Sequence, residues 1–302
     1  MKTPLNRFGI ALLLLILTGT FPAQANSIAE KIAETITVGP AETPAETPIE
    51  TPVETPIETS VETSVETSTV IPVAERHRYN IAFLWFSRIA TAELSLQPTE
   101  DPDLWEATLA ARTRGVAAWV TSDRAQSYTS LMRWEEDGRL TALRHDSVAR
   151  KTEGRRERVR LKSYIFDHEQ RRVVEQTDRD GRQSESVSSM PETAPNDILT
   201  AFFNVRLGVY GPLEAGHQYR IPTFSRHGPS EIMVDVLGAD ERPRSPRFPD
   251  GGVLLAVEVD QDVFDTNDGL VYVWFDDQDR PAQVVVQNVI GLGDVRSTLR
   301  EN

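Results

Sequence analysis

Apolar and polar residues alternate with a period of two over much of the chain beyond residue 76. In "RVRLKSYI", Val159, Leu161 and Ile165 alternate with charged or polar positions, and "VLLAVEVD" (253–260) and "DVRSTLR" (294–300) repeat the pattern. Such alternation is typical of strands with one buried face and one face in water. Turn sequences such as "EEDG", "DRDG" and "DQDRP" separate these segments at short intervals. The pattern therefore predicts an antiparallel meander or barrel rather than βαβ units.

One segment changes to helical spacing. Asn196 can cap "DILTAFFNVR" (197–206), whose apolar stripe contains Ile198, Leu199, Phe202, Phe203 and Val205. Because this is the one convincing helix, we predict a mainly β fold, an antiparallel curved sheet or open (half) β-barrel with one covering helix.

Two predicted strands, "NIAFLWF" and "GLVYVWF", are apolar on both faces or nearly so. Such a strand either lies centrally under the helix or lines an apolar cavity. The sequence pattern is compatible with both interpretations. If a cavity exists, its ligand is apolar or amphipathic and contacts Trp85, Phe202, Phe203, Tyr272 and Trp274.

The N-terminus has the three-part layout of a secretory signal peptide. Lys2 and Arg7 precede the apolar run "FGIALLLLILTGTF", and "AQA" then places small residues before a cleavage site after Ala25. The run is shorter than the roughly 20 residues that cross a membrane, and no Cys follows it for lipid attachment. We therefore predict that residues 1–25 are removed and that the protein is periplasmic, not an integral membrane protein.

Two further segments precede the β domain, which we place at residues 76–302. Residues 26–40 contain a capping-box pattern at Ser27 and Glu30, so they form either a short amphipathic helix that docks on a partner or a membrane surface, or a frayed tail. Residues 41–75 contain an acidic Glu-Thr-Pro and Glu-Thr-Ser repeat. This low-complexity composition predicts a disordered tether. The tether is either a spacer that holds the domain away from another structure, or a tandem duplication without function that persists because a disordered segment tolerates it.

Composition excludes several functions. The chain has no cysteine, which removes thiol catalysis and thiolate metal sites, and its net charge of −14 argues against nucleic acid as a partner. The five histidines lack metal-ligand spacing, and none of the GxSxG, HExxH, Walker or GxGxxG motifs is present. We expect no enzymatic activity, no cofactor and no metal.

The segment "RHDSVARKTEGRRERVRLK" (144–162) is basic in an otherwise acidic protein, and Gly154 at its centre predicts a hairpin. Its arginines and lysines form either a solvated edge strand or a site for lipid headgroups or another acidic envelope polymer. A third possibility is that the acidic tether folds back onto this hairpin. The candidate anion-binding residues are Arg150, Lys151, Arg155, Arg156, Arg158 and Arg160.

The opening "YNIAFLWF…ATAELSL", the central "NDILTAFFNVR" followed by "PLEAGHQYRIP", and the closing "GLVYVWFDDQDRPAQVVVQNVIGLGDVRSTL" resemble the bacterial domain-of-unknown-function family 3108. The resemblance covers about residues 76–300. It implies an exported, β-rich domain without known enzyme chemistry, and it supplies no site residues. By analogy the fold is similar to the open half-barrels that carry lipids or lipoproteins in the envelope.

Together these observations predict a periplasmic, non-enzymatic binding or envelope-assembly protein that holds an apolar or amphipathic, lipid-like ligand. A second hypothesis is a structural or protein-recognition module of the cell envelope, with an envelope protein as its partner. A third is a hydrolase of envelope material with an unrecognised site.

Overall fold

The computed structural model describes residues 71–83, 86–115, 123–153, 156–225, 228–244, 248–258, 270–289 and 293–301. The predicted signal peptide, the segment 26–40 and almost all of the tether lie outside these residues. The strands are β1 (Glu75–Phe83), β2 (Phe86–Pro98), β3 (Leu104–Thr113), β4 (Ala125–Trp134), β5 (Leu140–Glu153), β6 (Arg156–Asp167), β7 (Arg172–Arg179), β8 (Arg182–Ser189), β9 (Gln218–Ser225), β10 (Gly228–Leu237), β11 (Val253–Glu258), β12 (Leu270–Phe275), β13 (Pro281–Val289) and β14 (Gly293–Leu299). One α-helix, α1 (Ile198–Arg206), and a 3₁₀ turn, Ala239–Glu241, complete the described elements.

All described strands belong to one antiparallel sheet of 14 strands, in the order β8-β7-β6-β5-β4-β3-β2-β1-β14-β13-β12-β11-β10-β9. Consecutive strands pair from β1 to β8 and from β9 to β14, and β14 pairs with β1 to join these two halves. The sheet is open, because β8 and β9 are its two ends. The predicted fold class is confirmed. The basic segment also forms the predicted hairpin, β5–β6.

Turn chemistry explains the tight β7–β8 hairpin. Asp180 and Gly181 connect Arg179 and Arg182, and both connecting residues have positive φ angles, 53° and 86°. An Asp-Gly pair suits such a two-residue turn because glycine adopts positive φ without a steric cost, and aspartate tolerates it.

Helix α1 lies on one face of the sheet, which we call the inner face. The helix contacts β3, β4, β5 and β9. Its N-cap is Asp197, whose side chain accepts the backbone N–H of Leu199 and Thr200. The prediction that Asn196 caps the helix is therefore wrong. Asn196 instead bridges Thr223 of β9 and donates its side-chain amide to the Tyr210 hydroxyl and the Pro222 carbonyl.

Strand β12 is apolar on both faces because both faces are covered. Val271, Val273 and Phe275 pack with α1 residues on the inner face. Tyr272 and Trp274 belong to a separate cluster with Phe248, Leu254 and Val285. Since successive strand residues point to opposite faces, this second cluster lies on the outer face, beneath the connection between β10 and β11.

The opposite end of the sheet has little cover. Every residue of β8 except the half-buried Ser188 is exposed. The base of this region is nevertheless packed, since Phe224 of β9 contacts Tyr164 and Phe166 of β6 at ring distances of 5.6 and 6.3 Å. We call strands β6, β7 and β8 the arm.

Candidate functional site

The aromatic residues of α1 fill the core. Phe203 is 2% exposed, and its ring meets the half-buried Phe202 ring edge-on at 5.1 Å. Phe202 in turn stacks on Phe275 of β12 at 6.2 Å. These rings are packed against one another and against the sheet, which is the covered-core interpretation of the sequence pattern.

Tyr272 and Trp274 do not join the α1 residues. Tyr272 packs on Phe248 at a ring distance of 5.6 Å, and the Trp274 indole donates a hydrogen bond to the Gly251 carbonyl at 3.1 Å. The predicted grouping of these two residues with Phe202 and Phe203 around one ligand is therefore wrong, because the alternation of β12 places the two pairs on opposite faces. Trp85 lies outside the described residues.

A buried polar cluster, the cap cluster, joins the start of α1 to β4 and β5. It consists of Ser130, His145, Asp197 and Thr200. Ser130 Oγ donates to Asp197 Oδ1 at 2.5 Å and accepts from His145 Nδ1 at 2.8 Å. Thr200 Oγ1 donates to Asp197 Oδ2 at 2.6 Å, and His145 Nδ1 lies 3.2 Å from Asp197 Oδ1.

The cap cluster holds a carboxylate rather than a nucleophile. Burial alone would raise the pKa of Asp197, but the charge of His145 and hydrogen bonds from His145, Ser130 and Thr200 outweigh it and lower the pKa below 3.8. Ser130 is fully buried, so a substrate cannot reach its hydroxyl in this arrangement. These residues fix the helix on the sheet.

A second cluster, the Arg206 cluster, anchors the end of α1. The Arg206 guanidinium forms an ion pair with Glu75 of β1 and donates to the Asp279 carbonyl at 3.1 Å. It also lies 5.7 Å from the rings of Phe202 and Phe203 and 6.0 Å from that of Phe275. The charge is therefore paired and shielded by aromatic faces.

The predicted anion-binding residues separate onto the two faces of the β5–β6 hairpin. The register pairs Lys151 with Arg158, Ala149 with Arg160 and His145 with Tyr164. Directly paired residues share a face, so Lys151, Arg158 and Arg160 lie on the inner face with His145 of the cap cluster. Arg156, two residues before Arg158, lies on that face as well, whereas Arg150 lies on the outer face. Arg155 is outside the described residues.

Two of these inner-face arginines line a pocket on the arm, the inner basic pocket, with a volume of about 780 Å³. Its lining contains only polar side chains: Arg158, Arg160, Glu175, Thr177, Arg179, Asp180, Arg182, Gln183 and Ser184. Sequence reasoning found Arg158 and Arg160 but missed Arg179 and Arg182. These belong to the neighbouring hairpin and come into place only through the β6–β7 register, which pairs Arg160 with Arg179.

The carboxylates of the inner basic pocket already have cationic partners. Glu175 lies 3.0 Å from Lys162 Nζ, and Asp180 lies 3.7 Å from Arg158 Nη1. Arg179 and Arg182 are directly paired across the β7–β8 hairpin, next to its two-residue turn. The pocket is therefore suited to an anion, with guanidinium groups as bidentate donors.

Within the described ranges, no helix is both long enough and apolar enough to cross a membrane. Among the same residues, no group of three or more His, Cys, Asp or Glu side chains is placed to hold a metal ion.

The fold defines the class of protein: an open antiparallel sheet with a helix fixed on its inner face by buried polar groups. The model of the family described as "Protein of unknown function (DUF3108)" matches residues 78–300. This match covers most of the chain, so the protein belongs to that family, and the predicted resemblance is confirmed. No curated protein and no solved structure gives a significant match.

Proposed function

We propose that this protein is a non-enzymatic binding protein of the bacterial cell envelope and that its inner basic pocket binds an acidic polysaccharide. The observation that carries the proposal is the convergence of four arginines from β6, β7 and β8 on one polar pocket. The signal-peptide layout of residues 1–25 supports the envelope location.

The lining favours a hydrophilic anion over a lipid. Thr177, Gln183 and Ser184 offer hydroxyl and amide groups for hydrogen bonds with sugar hydroxyls, and no apolar side chain is present to hold an acyl chain. The dense packing of Phe203 and Tyr272 into two separate clusters likewise favours this function over an apolar-ligand carrier. The proposed ligand thus belongs to the class of acidic envelope polymers that the basic hairpin predicts.

A calorimetric titration of the full chain with polygalacturonate tests the proposal. We expect Arg179→Ala/Arg182→Ala to weaken binding about tenfold or more, since each guanidinium supplies charged hydrogen bonds. Arg133→Ala/Arg139→Ala removes the same charge from the β4–β5 region, where these arginines lie 3.8 and 3.7 Å from Glu135 and Asp137. This control should bind like the unmodified chain.

Two outcomes would contradict the proposal. The first is equal affinity of the arm variant and the control, which would show that only net charge matters. The second is tighter binding to phosphatidylglycerol vesicles than to polygalacturonate, which would assign the pocket to a membrane surface instead.

A further inference from the structure

A second arginine-rich groove lies on the outer face of the sheet, across β1 to β5. Its volume is about 500 Å³. Five arginines line it, together with a single carboxylate, Glu93; the arginines are Arg78, Arg112, Arg114, Arg150 and Arg300. Because Arg150 points to the face opposite Arg158 and Arg160, this groove is separate from the inner basic pocket.

The strand register builds a narrow slot within this groove. Ala125 of β4 pairs with Arg112 of β3 on one side and with Arg150 of β5 on the other. The two arginine Cα atoms are therefore about 10 Å apart, twice the spacing between neighbouring strands. Ala125 has no side chain beyond Cβ, so the space between the two guanidinium groups stays open. The next row, Ala110 and Ser127, is also small. We call this space the outer arginine slot.

The two arginines that flank the slot differ in their partners. Arg112 forms an ion pair with Asp123 at 3.1 Å. Nearby, Arg78 pairs with Glu93 at 2.9 Å, and Arg114 donates to Thr91 Oγ1 at 3.1 Å. The Arg150 side chain is exposed and has no hydrogen bond or ion pair with another residue of the described ranges. Its guanidinium is thus able to turn towards an anion in the slot.

We propose that the outer arginine slot binds the phosphate group of a small phosphomonoester between Arg112 and Arg150. A phosphate presents acceptor oxygens in several directions, so guanidinium groups on opposite sides can both bind it. A carboxylate has its two oxygens on one side and satisfies only one such fork. The inference does not depend on the polysaccharide proposal, because it uses different residues on the other face of the sheet.

The experiment is a titration of the full chain with glycerol phosphate, read by calorimetry. We expect Arg150→Ala to weaken binding about tenfold or more. Ala125→Leu should weaken it as strongly, since leucine fills the slot and leaves every charge in place. Two controls alter the outer face away from the slot and should bind like the unmodified chain: Arg133→Ala for charge and Thr141→Leu for bulk. Circular dichroism verifies that each variant is folded.

Two phosphate probes, one soluble and one in a membrane, distinguish the possible sources of the phosphate. Stronger binding of glycerol phosphate indicates a soluble ligand, whereas stronger binding of phosphatidate vesicles indicates a lipid headgroup; both support the slot if Ala125→Leu abolishes them. Full binding by folded Ala125→Leu overturns the inference, as does the absence of binding to either probe. Arg179→Ala/Arg182→Ala should leave phosphate binding unchanged, which separates this test from that of the inner basic pocket.

Discussion

Strands β12 and β8 are pieces of the same antiparallel sheet with opposite surroundings. Most of β12 is buried, because α1 covers one face and the Phe248 cluster covers the other. Strand β8 ends the sheet, and its side chains are almost all exposed. Burial of apolar area is the main favourable term in folding, so the helix-covered region carries the stability. Strand β8 contributes little to the core, and charged side chains there remain in contact with water.

The difference in burial determines where the sheet can carry charged side chains. A charge in the helix-covered region must be paired, as Asp197 and Arg206 are, because an unpaired buried charge is costly. On the arm the same charge remains in water and costs little. Arginines can therefore accumulate there without loss of stability, and the inner basic pocket is built from such residues.

The largest expected effect comes from emptying the core beneath α1. We expect Phe203→Ala to lower the free energy of unfolding by about 3–5 kcal/mol, through lost burial and the cavity that remains. Val187→Ala on β8, where the side chain is 56% exposed, should change it by less than about 0.5 kcal/mol. Urea unfolding of both variants measures the difference. Similar losses in both would mean that the arm and the core are equally important for stability.

The next effect concerns the cap cluster. Asp197→Asn keeps the side chain's shape but removes its charge and one acceptor, so we expect a loss of about 2–4 kcal/mol at neutral pH. Asp137→Asn, in the exposed β4–β5 turn, is the matched control and should have little effect.

The same variant also tests the pH dependence. The folded-state pKa of Asp197 lies below 3.8, so its contribution to stability is complete above that pH and is lost as the pH falls towards the folded-state value. The unmodified chain should therefore lose stability in this acid range. Asp197→Asn should flatten that decline, although not fully, because the pKa of Glu75 is lowered too: burial raises it, but hydrogen bonds with His77 and Arg206 outweigh the burial. An unchanged acid profile would contradict the role of Asp197.

The sequence predicts the strands and the helix because their signals are local. Alternation in "RVRLKSYI" and the apolar stripe of α1 need only neighbouring residues. The clusters require the register between distant strands. Ser130 lies 67 positions from Asp197, and no motif in either segment indicates that they meet. Likewise, the basic hairpin is visible as a charge run, but only the pairing of Lys151 with Arg158 shows which side chains share a face. Phe248, which covers Tyr272, lies in an irregular connection and has no periodic signal at all.

The smallest effect compares arginines between the two regions. Arg206→Ala should cost about 1–3 kcal/mol, because it removes the ion pair with Glu75 and a cation from three aromatic faces. Arg179→Ala/Arg182→Ala removes two guanidinium groups from the arm, yet should change the free energy of unfolding by less than about 0.5 kcal/mol. Urea unfolding of both variants in one buffer provides the measurement. If the arm variant proved as unstable as Arg206→Ala, its arginines would be structural, and their loss could no longer be used to isolate binding in the inner basic pocket.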